Sequence, residues 1–192
     1  QMPWQPTKAG TYTFNVIAGT ADVFTKATSG RLTVSAGPCI STPSRVCHAA
    51  ASGPCSVDEL ITSRYGGCFG AHVIEASAIC LFESGNIITA ESRSDICKVD
   101  RLPFSFGLFQ INILANTLKD PATGNVINCP SAFRVGRPFW ESATRTYNCE
   151  VINTQLYNYC VGLAKNQDIN IQKACELSKN GTNWDPWRNT VA

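Results

Sequence analysis

ICLFESGNIITAESRSDICKVDRLPFSFGLFQIN, residues 79–112, decides how the chain is read: an apolar run ends on an acid, a Cys-bearing polar excursion follows, and a second apolar run closes it. Just upstream, the segment GAHVIEASAICLFES, 70–84, has apolar residues at 73, 74, 76, 79, 80 and 82. That spacing predicts a largely buried helix rather than an alternating strand. Its last turn holds Glu83 beside Leu81 and Phe82, and Ser84, Gly85 and Asn86 end it, Gly and Asn supplying a left-handed cap. A carboxyl group at such an apolar rim is expected to be poorly solvated, which disfavours its charged form and raises its pKa. A general acid near neutral pH needs that property. Taken without its neighbours, a Glu at a helix end is ordinarily solvated surface.

Beyond the helix, residues 86–106 alternate short apolar pairs with polar and charged residues, and a hairpin-like lobe is expected, tied down by Cys97. FGLFQINILANTL, 106–118, reads as a buried strand end or turn entering a helix. Gln110 is polar inside that apolar run, and a buried amide must find partners. Two readings stay open for it: bonds to backbone, or a side chain facing a cleft. Residues 119–147 are rich in Pro, Gly and Arg and read as loops. CEVINTQLYNYCVGLAK, 149–165, has helical spacing, which assigns its tyrosines to the core. Asp168 or Asn170 is expected to cap a last helix reaching Asn180, with Gly181 ending it and Trp184 and Trp187 following. Upstream, Ser56 and Glu59 form a capping box that predicts a short helix to about Tyr65, stopped by Gly66 and Gly67.

Residues 1–37 differ in kind. YTFNVIAG, ADVFTKA and GRLTVSAG predict two or three β-strands. Residues 38–55 form a Cys- and Pro-rich linker, and 56–192 hold the main domain. His48 and His72 are read as incidental rather than as metal ligands.

The 192 residues suffice for one good core with a small appendage. Net charge is +2 and 16% of residues are charged, without a basic run, which argues against nucleic acid as a partner. No apolar run approaches membrane-spanning length. The 10 cysteines are even in number and scattered, without C-x-x-C pairs, so they read as up to five disulfides formed in an oxidising compartment. Their connectivity is open, with about a thousand pairings possible. The chain begins on Gln, and a secreted protein, extracellular or at the cell surface, with its signal removed, is expected.

Glu83-Ser84, then Ser94, then Gly107-Leu108-Phe109-Gln110-Ile111-Asn112 resembles the signature shared by lytic transglycosylases and the wider lysozyme superfamily. The tail NIQKACELSKNGTNWDPWRN, 170–189, resembles the helix and Trp-x-x-Trp segment that closes the cleft in animal-type lysozymes. The segment 9–37 resembles the last strands of a bacterial immunoglobulin-like surface domain, which needs about seven strands. The fold class implied is α+β: an α-rich lysozyme-like domain with a small β-lobe, disulfide-stapled, preceded by a few strands of an immunoglobulin-like domain.

The resemblance implies cleavage of the β-1,4 bond between N-acetylmuramic acid and N-acetylglucosamine in peptidoglycan, with Glu83 as catalytic acid and base. It sets Ser84, Ser94, Ser105, Gln110 and Asn112 along the substrate. Tyr147, in a faint match to a Tyr-Asn motif, and Trp184 and Trp187 join them. Trp184 matches the residue that packs on the catalytic Glu of lysozyme and raises its pKa. The position of the animal-type second carboxylate is Ser105, which cannot take a charge. Lytic transglycosylases work with one Glu and yield a 1,6-anhydro sugar, so Ser105 favours transglycosylation over hydrolysis. Asp95 and Asp100 remain possible second carboxylates. No cofactor or metal is implied. A second class stays open: a catalytically inactive surface, adhesion or filament-assembly subunit on the same fold, self-associating or joined to an upstream domain through its N-terminal strands.

Overall fold

The computed structural model describes residues 10–20, 23–34, 48–65, 67–142 and 146–187, the first two segments as backbone. Among these the fold is α+β, with short helices and small two-stranded antiparallel sheets. β1, Gly10–Thr20, pairs with β2, Val23–Val34, with a register shift between Asn15 and Val16. The segments VFTKA and GRLTV therefore fall in one continuous strand. The linker up to Cys47 lies outside the described residues, as do Cys39 and Cys47 themselves.

The expected short helix is only α1, Val57–Leu60, followed by a 3-10 turn at Ser63–Tyr65. Ser56 caps it, its hydroxyl accepting from the Glu59 N–H at 3.3 Å. Glu59 does not complete the capping box, because its carboxylate is bonded by Arg64, by Gln167 at 2.7 Å and by the Tyr65 hydroxyl at 3.1 Å. A polar cluster reaching across the chain replaces the second turn of helix.

α2, Val73–Ser84, forms where its spacing predicts and buries Ala76, Ile79 and Cys80. Gly85 ends it at φ 61°, donating to the Leu81 carbonyl at 2.8 Å, and Asn86 follows at φ 71°. These two residue types enter the left-handed region at least cost. The Asn86 side chain then accepts from the Cys55 N–H and donates to the Ser52 carbonyl, both at 2.8 Å. One residue thus stops the helix and fixes the entry of the main domain.

The lobe at 86–106 is made of turns held by single bridges, Glu91 to Phe106 and Ile96 to Pro103, rather than a regular hairpin. The hairpin lies just beyond: β3, Ser105–Phe106, pairs with β4, Ile111–Asn112. The helix expected after it does not form. Asn112 Oδ1 accepts from the Ala115 N–H at 3.0 Å and Asn116 donates to the Asn112 carbonyl at 2.8 Å, a side-chain competition that turns the chain. It runs into β5, Leu118–Lys119, paired with β6, Val126–Ile127.

The middle is not all loops, since β7, Phe133–Glu141, pairs with β8, Thr146–Val151. Pro138 is accommodated where the register shifts between Val135 and Trp140, a position at which a strand tolerates proline. Cys149 to Val151 belong to this strand, so α3 starts later, at Thr154–Ala164, capped by Asn153. α4, Gln167–Leu177, is capped by Asn166 rather than by Asp168 or Asn170. It stops at Leu177, before Asn180, and Lys179, Asn180 and Gly181 follow with positive φ.

Among the described residues four disulfides join Cys55 to Cys80, Cys68 to Cys175, Cys97 to Cys149 and Cys129 to Cys160. Such bonds persist in an oxidising compartment. The core they enclose centres on Phe69, Phe104, Phe106 and Phe109, each almost fully buried. Each such side chain contributes about 1.5–3 kcal/mol by leaving water. Among the described residues no helix is long and apolar enough to cross a membrane.

Candidate functional site

Glu83 occupies the last turn of α2 and is half-buried, while its neighbour Phe82 is largely exposed. Ser84 is buried: its hydroxyl donates to the Cys80 carbonyl at 2.9 Å and accepts from the Asn86 N–H at 3.2 Å. It finishes the helix.

From Ser84 two turns lead to Ala90, whose carbonyl accepts from the Gly107 N–H at 2.8 Å. The turn joining β3 to β4 begins there. Gly107 has φ 77°, and a Cβ on it would lie 2.2 Å from Asn170 Nδ2 and 2.4 Å from the Ala164 carbonyl. Asn170, on α4 and 1% exposed, clamps this turn. Its Oδ1 accepts from the Phe109 N–H at 2.8 Å, and its Nδ2 donates to the carbonyls of Phe106 at 2.9 Å and Ala164 at 2.6 Å. The amide spends one acceptor and two donors on backbone groups of the hairpin and of the end of α3. Its spacing in sequence suggested a cap; the clamp is a contact between distant segments.

Gln110 is half-buried at φ 47°, and its Nε2 donates to the Gly107 carbonyl at 2.9 Å, closing the same turn. Of the two readings open to it, backbone bonding is the one observed. Asn112 is half-buried, its side chain engaged in the turn after β4.

Three predicted residues meet beside this turn. Ser105, 1% exposed, donates its hydroxyl to Asp95 Oδ2 at 2.7 Å, and the Tyr147 hydroxyl hydrogen-bonds the same carboxylate. Burial, then the Asp95 charge and this hydrogen bond, raise the Tyr147 pKa above its ordinary value. Asp95 is held on its backbone as well, its N–H donating to Ser92 Oγ and its carbonyl accepting from the Phe104 N–H, both at 2.9 Å. A half-exposed carboxylate fixed by two hydroxyls therefore sits against Ser105. Asp100 is different: its two oxygens accept from the N–H groups of Leu102 and Val151, which brace the lobe on β8. Ser94 is exposed, its hydroxyl 3.3 Å from that of Ser92.

Trp184 and Trp187 are buried together, ring centroids 5.4 Å apart. Trp184 stacks on Phe69, and Trp187 donates its indole N–H to the Phe109 carbonyl at 2.8 Å. Trp187 thus supports the 107–110 turn from beneath. The Trp184 indole N–H is buried without a hydrogen-bond partner. Among the described residues no group of three or more His, Cys, Asp and Glu is placed to hold a metal ion.

Set against known protein families, curated proteins and solved structures, the chain has no match. The site itself consists of one half-buried carboxyl at a helix end, a clamped amide-bearing turn, and a second carboxylate tied to two hydroxyls.

Proposed function

We propose that this chain cleaves the β-1,4 glycosidic bond between N-acetylmuramic acid and N-acetylglucosamine in peptidoglycan, on a lysozyme-like fold, as a secreted or cell-surface enzyme. The observation that carries the reading is Glu83 in the last turn of α2, two chain turns from the Gly107–Asn112 hairpin that Asn170 clamps. Glu83 protonates the leaving oxygen and afterwards serves as base. Ser105 brings no charge of its own, so the substrate's acetamido group and a sugar hydroxyl take the remaining roles. Transglycosylation to a 1,6-anhydro product is the preferred outcome. Asp95, against Ser105, is the carboxylate available to steady positive charge at the sugar, whereas Asp100 is committed to backbone.

A second reading, an assembly or adhesion subunit, is favoured by the N-terminal hairpin. β1 and β2 pair only with each other among the described strands, which leaves both outer edges open to another strand.

Purified sacculi incubated with the native chain and with Glu83→Gln test the first reading. The variant should release fragments at least about 100-fold more slowly, the usual worth of a general acid. Equal traces would retire the enzyme. Electron microscopy at rising concentration tests the second, and a uniformly monomeric field counts against it.

A further inference from the structure

The β7–β8 hairpin carries an aromatic surface of which the catalytic reading uses Tyr147 alone. Phe139 and Trp140 are 37% and 45% exposed, and their ring centroids lie 5.1 and 4.8 Å from that of Tyr147. Trp140 and Tyr147 are direct cross-strand partners. Tyr147 is backed edge-on by buried Phe104 at 5.0 Å.

Four further bonds hold this surface in place. Cys97–Cys149 ties β8 to the lobe, the Lys98 N–H donates to the Tyr147 carbonyl at 2.8 Å, Lys98 Nζ pairs with Glu141 at 2.7 Å, and the Tyr147 hydroxyl reaches Asp95. Rings on a braced hairpin lose little freedom when a ligand arrives.

We propose that Phe139, Trp140 and Tyr147 form a stacking platform for a β-linked amino-sugar chain, continuous with the candidate site through Asp95. A pyranose offers a flat face of C–H bonds, each slightly positive, which suits the negative face of an aromatic ring. Its equatorial hydroxyl and acetamido groups point outward to the rim, where the half-exposed Asp95 carboxylate meets the Tyr147 hydroxyl. Area separates this occupant from a second copy of the chain. The exposed parts of Phe139 and Trp140 amount to on the order of 200 Å², taking about 150–250 Å² for a whole aromatic side chain. A stable protein interface needs about 800 Å² per partner. The patch is too small for a dimer and well suited to one or two sugar rings.

The ligand class rests on the glycan-cleavage reading, so binding is measured apart from turnover. Co-sedimentation with purified sacculi in the cold compares the native chain with the double substitution Phe139→Ala, Trp140→Ala and with Phe139→Tyr, Trp140→Tyr. The alanine pair should be retained at least tenfold more weakly, and the tyrosine pair should recover most of the loss. Equal retention of native and alanine-substituted chains overturns the platform, whatever Glu83→Gln does to cutting. Sedimentation velocity supplies a second check: a native dimer that the alanine pair dissociates also overturns it, assigning the patch to self-association.

Discussion

Gly107 and Asn170 interlock: the Asn170 amide fills the space a Cβ on residue 107 would need, 2.2 Å from that point. Gly107→Ala therefore meets a clash and a positive φ at once, and should cost at least about 2 kcal/mol. Asn170→Leu removes the bonds to the Phe109 N–H and to two carbonyls, and should cost about 1–3 kcal/mol for a buried group that loses its partner. Urea unfolding of both variants measures these losses. A native midpoint for either would show that the clamp is not holding the turn.

Asp95 separates charge from hydrogen bonding. Asp95→Asn keeps an acceptor for Ser105 while removing the charge that helps raise the Tyr147 pKa, so Tyr147 should ionise at lower pH than in the native chain. Asp95→Ala strands the buried Ser105 hydroxyl and should lose about 1–3 kcal/mol. Spectrophotometric titration reads the first effect and thermal unfolding the second.

On the proposed glycan cleavage, the chemistry of the product follows from Ser105. Mass analysis of fragments released from sacculi should find anhydro ends in excess of reducing ends. A majority of reducing ends would move the mechanism to hydrolysis, with Asp95 as its second carboxylate.

Alkaline stability should fall in a defined window. Burial pushes the Tyr157 pKa up to about 12, while its hydroxyl donates to the Pro103 carbonyl at 2.9 Å. The folded phenol keeps its proton after the unfolded one, at about 10, has lost its own. Stability from this group is therefore full below about pH 10 and is lost as pH rises toward about 12. Tyr65, also raised to about 12 chiefly by burial, adds in the same direction. Melting temperature against pH should decline less steeply in Tyr157→Phe, from a lower starting value; parallel curves would refute the assignment.

The four disulfides among the described residues should contribute unequally. Chain-entropy arguments give about 5 kcal/mol for the 107-residue separation of Cys68–Cys175 and about 3.5 kcal/mol for the 25-residue separation of Cys55–Cys80. Paired alanine substitutions compared by denaturant midpoint test the order.

How much was legible in the sequence depended on whether the signal was local. α2 and its stop were readable because Gly85 and Asn86 supply the cap within two residues. The pairing of cysteines was not, since proximity in space leaves no mark on spacing. Asn170 shows the same limit: an Asn near a helix start suggests a cap, but Asn166 already fills that role, and two of the three clamp partners, Phe106 and Phe109, lie more than sixty residues away. The β7–β8 hairpin escaped because Gly136 and Pro138 imitate a loop, and only the register shift shows how a strand absorbs them. Within the site, the meeting of Ser105, Asp95 and Tyr147 was beyond reach of motif order, although each had been singled out for a different reason.

The bond between Cys68 and Cys175 closes a covalent ring through most of the main domain. A protease that severs one peptide link inside that ring produces no separate fragment, because both new ends stay leashed through sulfur. A clipped molecule keeps its two ends within reach of each other and can settle back into the same packing.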